Sequence, residues 1–215
     1  MLAEIEDRRG PASESYQHDP LCQALEKAWK AGLVVCVAAG NEGPGENTIS
    51  SPGIDPVLIT IGAADDKRTV NEEDDSVASF SSRGPTINGV TKPDIVAPGV
   101  NIISLRAPGS ALDQLYPQRR VDDQYFSLSG TSMATPICAS AVALLIEAKP
   151  DATPDQIKAA LTARAKDLFH NPNLAGHGYV DLLGAIQTLG GANTPPQPCR
   201  TSIAFTPENC PNDLP

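Results

Sequence analysis

The chain has 215 residues, 40% of them hydrophobic and 20% charged, which suits one α/β or α+β domain with a substantial core. A formal net charge of −10 argues against nucleic acid and anionic membranes as partners. No C-x-x-C pair occurs among the five cysteines, which argues against a structural zinc site, and no apolar run reaches the length of a membrane span.

Residues 1–18 are polar without a clear period and read as a loop. Their start, MLAEIEDRRGPASES, lacks the apolar stretch of a secretory signal, so the expected location is cytoplasmic. Asp19-Pro20 opens a helix, with Asp as N-cap and Pro at the first helical position, and Leu21, Leu25, Ala28 and Trp29 follow at helical spacing. Gly32 closes it as a left-handed cap. The apolar run Leu33 to Ala39 predicts a buried parallel strand, ending in the turn-rich loop Gly40-Asn41-Glu42-Gly43-Pro44. Loops at the carboxyl ends of such strands are where open α/β sheets bind ligands.

A second buried strand is predicted over Val57 to Ala64, then a charged loop over Asp65 to Asp75. Short strands are expected over Val77 to Phe80, within Lys92 to Gly99 between two proline breaks, and over Ile102 to Leu105. Residues 107–123 read as a long polar loop, and Tyr125 to Leu128 leads into Gly130-Thr131-Ser132-Met133-Ala134-Thr135-Pro136. From Thr131 to Ala148 the pattern is helical, with Met133, Ile137, Ala141, Leu144, Leu145 and Ala148 as its apolar face. This places Ser132 at a helix N-terminus, where free N–H groups and the helix dipole stabilise developing negative charge, as a nucleophile requires. Thr153-Pro154-Asp155-Gln156 is a capping box opening a helix to about Lys166, and a last helix runs from Leu182 to Leu189. Residues 192–215 are rich in Pro, Asn and Thr and read as a disordered tail. Cys36 and Cys138 read as small buried hydrophobes, Cys199 and Cys210 as reduced thiols in that tail.

Three blocks, Ala38-Ala39-Gly40-Asn41-Glu42-Gly43, Pro93-Asp94-Ile95-Val96-Ala97-Pro98-Gly99 and Gly130 to Pro136, resemble those of the subtilisin-like serine proteases (subtilases) in kind, order and separation. Phe80 to Pro85 and the closing Gly176-His177-Gly178-Tyr179-Val180-Asp181 are also similar to that family, and the AprX-like subtilases of bacilli are the subgroup most resembled. The resemblance implies an α/β fold with a parallel sheet flanked by helices and a serine endopeptidase that hydrolyses peptide bonds in polypeptide substrates. It implies Ser132 as nucleophile and Asn41 as oxyanion-hole side chain, with the Ser132 backbone N–H as second donor. It also implies substrate contacts at Ala38, Ala39, Gly40, Gly130 and Thr131, the first three forming one wall of the pocket.

One departure matters. The family's triad runs Asp, His, Ser, with the Asp in D-(S/T)-G and the His in H-G-T-H, and neither block occurs in these 215 residues. His18, His170 and His177 lie in other contexts and read as surface residues. The expectation is therefore a partial peptidase domain over residues 1–190, lacking the first strands of its sheet, with the tail from 191. Little activity is expected from it alone, because a serine hydroxyl without its base is a weak nucleophile. The rival reading is a non-catalytic remnant or binding module, or a chain complemented by a separate N-terminal fragment carrying Asp and His. An esterase on another fold is disfavoured by the missing G-x-S-x-G. The acidic loop Asp65, Asp66, Glu72, Glu73, Asp74, Asp75 invites calcium, but without EF-hand spacing it reads as a solvated loop, and no cofactor or metal is assigned.

Overall fold

A computed structural model describes residues 2–5 and 11–190. Its main sheet is built from β1 (Leu2–Ile5), β2 (Val34–Ala38), β3 (Ile59–Asp65), β4 (Ser76–Val77) and β5 (Ile95–Pro98). β1, β2, β3 and β5 are neighbours in that order and all parallel, whereas β4 pairs antiparallel with the last residues of β3. Every residue of β2 is buried, as are all residues of β3 except Asp65. That is why these strands read as continuous apolar runs: both faces are covered.

Before β2, α1 (Pro20–Lys30) begins where Asp19 Oδ1 accepts the N–H groups of Leu21 and Cys22. It ends in a Schellman motif, with Gly32 at φ +93°, its N–H on the Trp29 carbonyl and the Leu33 N–H on that of Ala28. After β5 the chain forms β6 (Ile102–Leu105), the short α2 (Ala111–Leu115) and β7 (Tyr125–Leu128); β6 and β7 pair antiparallel as a separate ribbon. Then come α3 (Thr131–Ala148), α4 (Pro154–Arg164), α5 (Pro172–Ala175) and α6 (Leu182–Thr188). Both halves of the predicted capping box are present at α4: Gln156 N–H on Thr153 Oγ1 and Thr153 N–H on Gln156 Oε1.

Three expectations are corrected. Residues 2–5, read as loop, form β1 on the edge of β2; four residues, three of them apolar, are too few to show a period, and pairing with β2 makes them a strand. The polar stretch 107–123 contains α2, because Ser110 caps the Asp113 N–H and Asp113 gathers charged partners that no local pattern reveals. The buried face of α3 is also rotated: Thr131, Ala134, Thr135, Cys138, Ala141, Val142 and Leu145 face inward, while Leu144 is 46% exposed. Small side chains let the helix approach the sheet closely, so Ala134, Cys138 and Ala139 occupy the contact and the larger Met133 and Ile137 turn aside. At 18 residues and a mean hydropathy of 1.5, α3 also has the length and composition of a membrane span, where the sequence reading counted none; 44% of it is buried in this fold.

Cys36 and Cys138 are free and fully buried, β2 against α3, as expected. Residues 191–215, including Cys199, Cys210 and the expected disordered tail, lie outside the described residues.

Asp113 is 3% exposed and holds the 106–120 segment together. It accepts two bonds from Arg106, at 2.6 and 3.0 Å, one from the Gly109 N–H at 2.9 Å and one from Arg120 at 2.7 Å. The Arg106 guanidinium first, then the Gly109 N–H, hold its carboxyl well below the ordinary 3.8. A carboxyl depressed in the folded state contributes stability that is complete above the unfolded value and is lost as the pH falls below it toward the folded one. Amide protection at Gly109 and Arg120, measured by hydrogen exchange and corrected for intrinsic rates, is therefore expected to fall below about pH 4. Asp113→Asn should produce the same loss at pH 7. In the core, Leu145→Ala, at a fully buried position, should lower unfolding free energy in urea by about 2–5 kcal/mol.

Candidate active site

The N-terminus of α3 is where the three sequence blocks meet. The Thr131 N–H, first of the helix, donates to Asn41 Oδ1 at 2.9 Å, and the Thr131 hydroxyl donates to the same oxygen at 3.2 Å. That hydroxyl in turn accepts the Gly40 N–H at 3.2 Å. Two donors on one amide atom fix the Asn41 carboxamide: its oxygen faces the helix and its NH₂ points away. Gly130 adjoins it, since a Cβ there would lie 3.6 Å from Asn41 Oδ1 and 3.8 Å from Nδ2. The Gly130 N–H donates to the Gly99 carbonyl at 2.8 Å, which brings the Pro98-Gly99 turn after β5 against the helix.

The loop carrying Asn41 is held from behind. Gly40 accepts the Ser82 N–H at 2.9 Å, Ser82 Oγ accepts the Glu42 N–H at 3.0 Å, and the Gly43 N–H reaches the Phe80 carbonyl at 2.8 Å. Gly40 sits at φ +106°, and a Cβ there would lie 2.3 Å from Ser50 Oγ. Any larger residue would meet both backbone strain and a clash.

Ser132, second residue of α3, is partly buried, and Met133 follows it. Ala38 and Ala39 are buried behind the loop, Ala39 in a small cluster with Cys22, Ile49 and Ile54. Beside Met133 a groove of about 380 Å³ runs between the β6–β7 ribbon and α3, lined by Ile102, Leu105, Phe126, Leu128, Met133 and Ile137 among others. Leu105 on its rim is 79% exposed.

All three histidines are exposed. His18 lies just before α1, and His170 contacts Asp167 at 3.3 Å. His177 donates its backbone N–H to the Asp94 carbonyl, at the end of β5 opposite Gly99. No group of three or more His, Cys, Asp or Glu is arranged to hold a metal among the described residues. In the acidic loop, Asp65 pairs with Lys67, Asp74 accepts from Thr69, and Glu72 pairs with Lys166.

Sequence reasoning grouped Thr131 with the substrate contacts and missed that it brackets Asn41. It also gave Ser82 and Gly99 no part. A threonine after glycine is ambiguous in sequence, because its hydroxyl partners come from residue 41, some 90 positions away.

A profile of the subtilase family matches residues 7–179. The serine protease AprX of Bacillus subtilis is 57% identical over 173 residues, covering 79% of this chain and 39% of that protein. Subtilisin DY of Bacillus licheniformis is 35% identical over 169 residues, covering 78% of this chain and 52% of its own length. The chain thus spans less than two thirds of both relatives. Among solved structures, fervidolysin of Fervidobacterium pennivorans, a keratinolytic enzyme related to subtilisin, superimposes with a TM-score of 0.62 at 30% identity, over 83% of this chain and 25% of that one. The PatG macrocyclase, at 22% identity and a TM-score of 0.65 over 88% of this chain and 52% of that one, shares the fold.

Thr131→Val keeps the shape but removes the hydroxyl between Gly40 and Asn41. It leaves the buried Gly40 N–H without its acceptor, so unfolding free energy in urea should fall by about 1–3 kcal/mol. Unchanged stability would mean that the hydroxyl is not part of the bracket.

Proposed function

The chain belongs to the subtilase family, and from that premise we propose that it is the serine-bearing part of a subtilisin-like serine endopeptidase. Ser132 is the nucleophile. Its Oγ attacks the scissile carbonyl to form an acyl-enzyme, which water then hydrolyses. Asn41 Nδ2 and the Ser132 backbone N–H are the oxyanion donors. The single observation that carries this reading is the Asn41 carboxamide, whose oxygen is tied to the head of α3 by two bonds. Its NH₂ is thereby pre-oriented, and a donor that need not reorganise during reaction is what stabilises an oxyanion. Ala38, Ala39 and Gly40 form one wall of the substrate pocket, with Gly130 and Thr131 beside the serine. The substrate is a polypeptide.

Within these 215 residues no histidine stands in the family's H-G-T-H context, so the base comes from a polypeptide bearing the Asp and His blocks. Purely non-catalytic binding through the same loops is the alternative, and activity after complementation separates the two.

The 215-residue chain by itself should cleave a chromogenic peptide no faster than buffer and should resist fluorophosphonate labelling. Mixed with the part of Bacillus subtilis AprX that this chain does not match, it should gain turnover that Ser132→Ala abolishes. Asn41→Ala should lower that turnover by about 10²–10³, the loss that removing one such donor causes in subtilisin itself. Turnover that survives Ser132→Ala would sink the assignment, and no turnover in any mixture would favour the binding module.

A further inference from the structure

Asn41 is exposed at the tip of its loop. Its φ and ψ are the rotations of two rigid peptide groups about its Cα, the 40–41 group before it and the 41–42 group after it. Both groups are held by one distant residue. The carbonyl of the first, that of Gly40, accepts the Ser82 N–H at 2.9 Å, and the N–H of the second, that of Glu42, donates to Ser82 Oγ at 3.0 Å.

Ser82 is fixed in its turn. It is fully buried, as is Ser81 before it, and Ser81 Oγ accepts the Ala63 N–H of β3 at 3.0 Å. The Ser81 N–H donates to the Ala78 carbonyl at 3.0 Å, and the Ala78 N–H to the Ala63 carbonyl at 2.9 Å. The two buried hydroxyls, which would be unfavourable without partners, thus have separate tasks. Ser81 fastens its own segment to the sheet, and Ser82 fastens the loop to that segment. Space is as restricted as the bonding, since a Cβ on Gly40 would lie 2.9 Å from Ser82 Oγ and one on Gly43 2.3 Å from the Ser81 carbonyl oxygen.

We propose that Ser82 is a positioning residue for the oxyanion site: it touches no substrate and acts through Asn41, by holding that residue's φ and ψ. The inference rests on the reading of Asn41 as an oxyanion donor. Thr131 fixes the carboxamide oxygen from the front, but a side chain held only at its tip still swings when its backbone turns. Ser82 removes that freedom from behind. On the 41–42 side the role belongs to the hydroxyl alone, because the backbone bond to Gly40 survives replacement of the side chain. Glu42 is exposed, so its N–H, released from Ser82 Oγ, turns to water with little loss of stability. The loss falls on orientation instead. An oxyanion exists in the tetrahedral state and not in bound substrate, so a misdirected donor lowers kcat and leaves KM unchanged.

The test needs no turnover. In the ¹⁵N-labelled 215-residue chain, the Asn41 side-chain NH₂ signals are assigned by their loss in Asn41→Asp, and relaxation gives their order parameter. It should stand near the rigid value of about 0.85 in the unaltered chain and fall below about 0.6 in Ser82→Ala. Ser82→Thr, which keeps the hydroxyl, should retain the rigid value. Leu145→Ala, which loosens the core away from the loop, should retain it too. Ser82→Cys, with a weakly accepting sulfur in a similar shape, should lie between and is the second variant should Ser82→Ala fail to fold. An unchanged order parameter in the Ala and Cys variants overturns the inference, as does an equal fall in Leu145→Ala. In the mixture with the unmatched part of AprX, Ser82→Ala should lower kcat about tenfold at unchanged KM, a smaller loss than removing the donor itself. Turnover that falls in Asn41→Ala but not in Ser82→Ala overturns the positioning role, whereas turnover indifferent to Asn41→Ala overturns the oxyanion reading beneath it.

Discussion

The site depends on one shared acceptor. Asn41 Oδ1 takes both the N–H and the hydroxyl of Thr131, so the end of β2 and the start of α3 cannot move separately. A helix N-terminus needs acceptors for its first N–H groups, and here the acceptor is supplied by a loop rather than by the helix's own cap residue, which is Gly130. Because the cap is a glycine without a side chain, Asn41 can stand in the position that a capping Ser or Asp would have filled. The same contact leaves the carboxamide NH₂ turned away from the helix, so the bond set that holds the fold together is also the one on which the proposed oxyanion role rests.

The rest of the structure supports that contact from two directions. From below, Gly99 passes close under α3, where an added Cβ would lie 2.6 Å from Ala63 and 3.0 Å from the Gly130 carbonyl oxygen. From behind, Ser50 and Ser82 occupy the space that a Cβ on Gly40 would need, and Gly40 itself has positive φ. Small residues occur at each of these points because backbones and loops come within van der Waals distance there. The opposite ends of the strands are organised differently. There the cohesion is electrostatic, with Lys92, Asp94 and Lys158 replacing the small-residue packing that surrounds the serine.

Much of the framework was legible in the sequence because its signals are local. The Asp19-Pro20 cap, the Gly32 terminator, the Thr153–Gln156 box and the apolar runs of β2 and β3 each act within a few residues. Where a signal depends on distant partners, the sequence reading failed. β1 exists through its pairing with β2, and α2 through Arg106 and Arg120 closing on Asp113. The face of α3 was misjudged for a related reason. A helix that is apolar nearly all round does not declare which side is inward, and steric fit chose the side with alanine and cysteine over the side with methionine and isoleucine.

By itself the sequence determined the family and the α/β character and singled out Ser132 as the proposed nucleophile, since those rest on residue types at fixed spacing within short blocks. It could place Asn41 near Ser132 only by resemblance. Tertiary structure decided that the asparagine's oxygen, rather than its nitrogen, meets the helix, because that choice follows from which hydrogen-bond donors Thr131 brings to it. It also decided that Lys158, unremarkable on a helix surface in sequence, ends in a cage of carbonyls, because only the folded chain brings residues 56–58 and 94 around its ammonium.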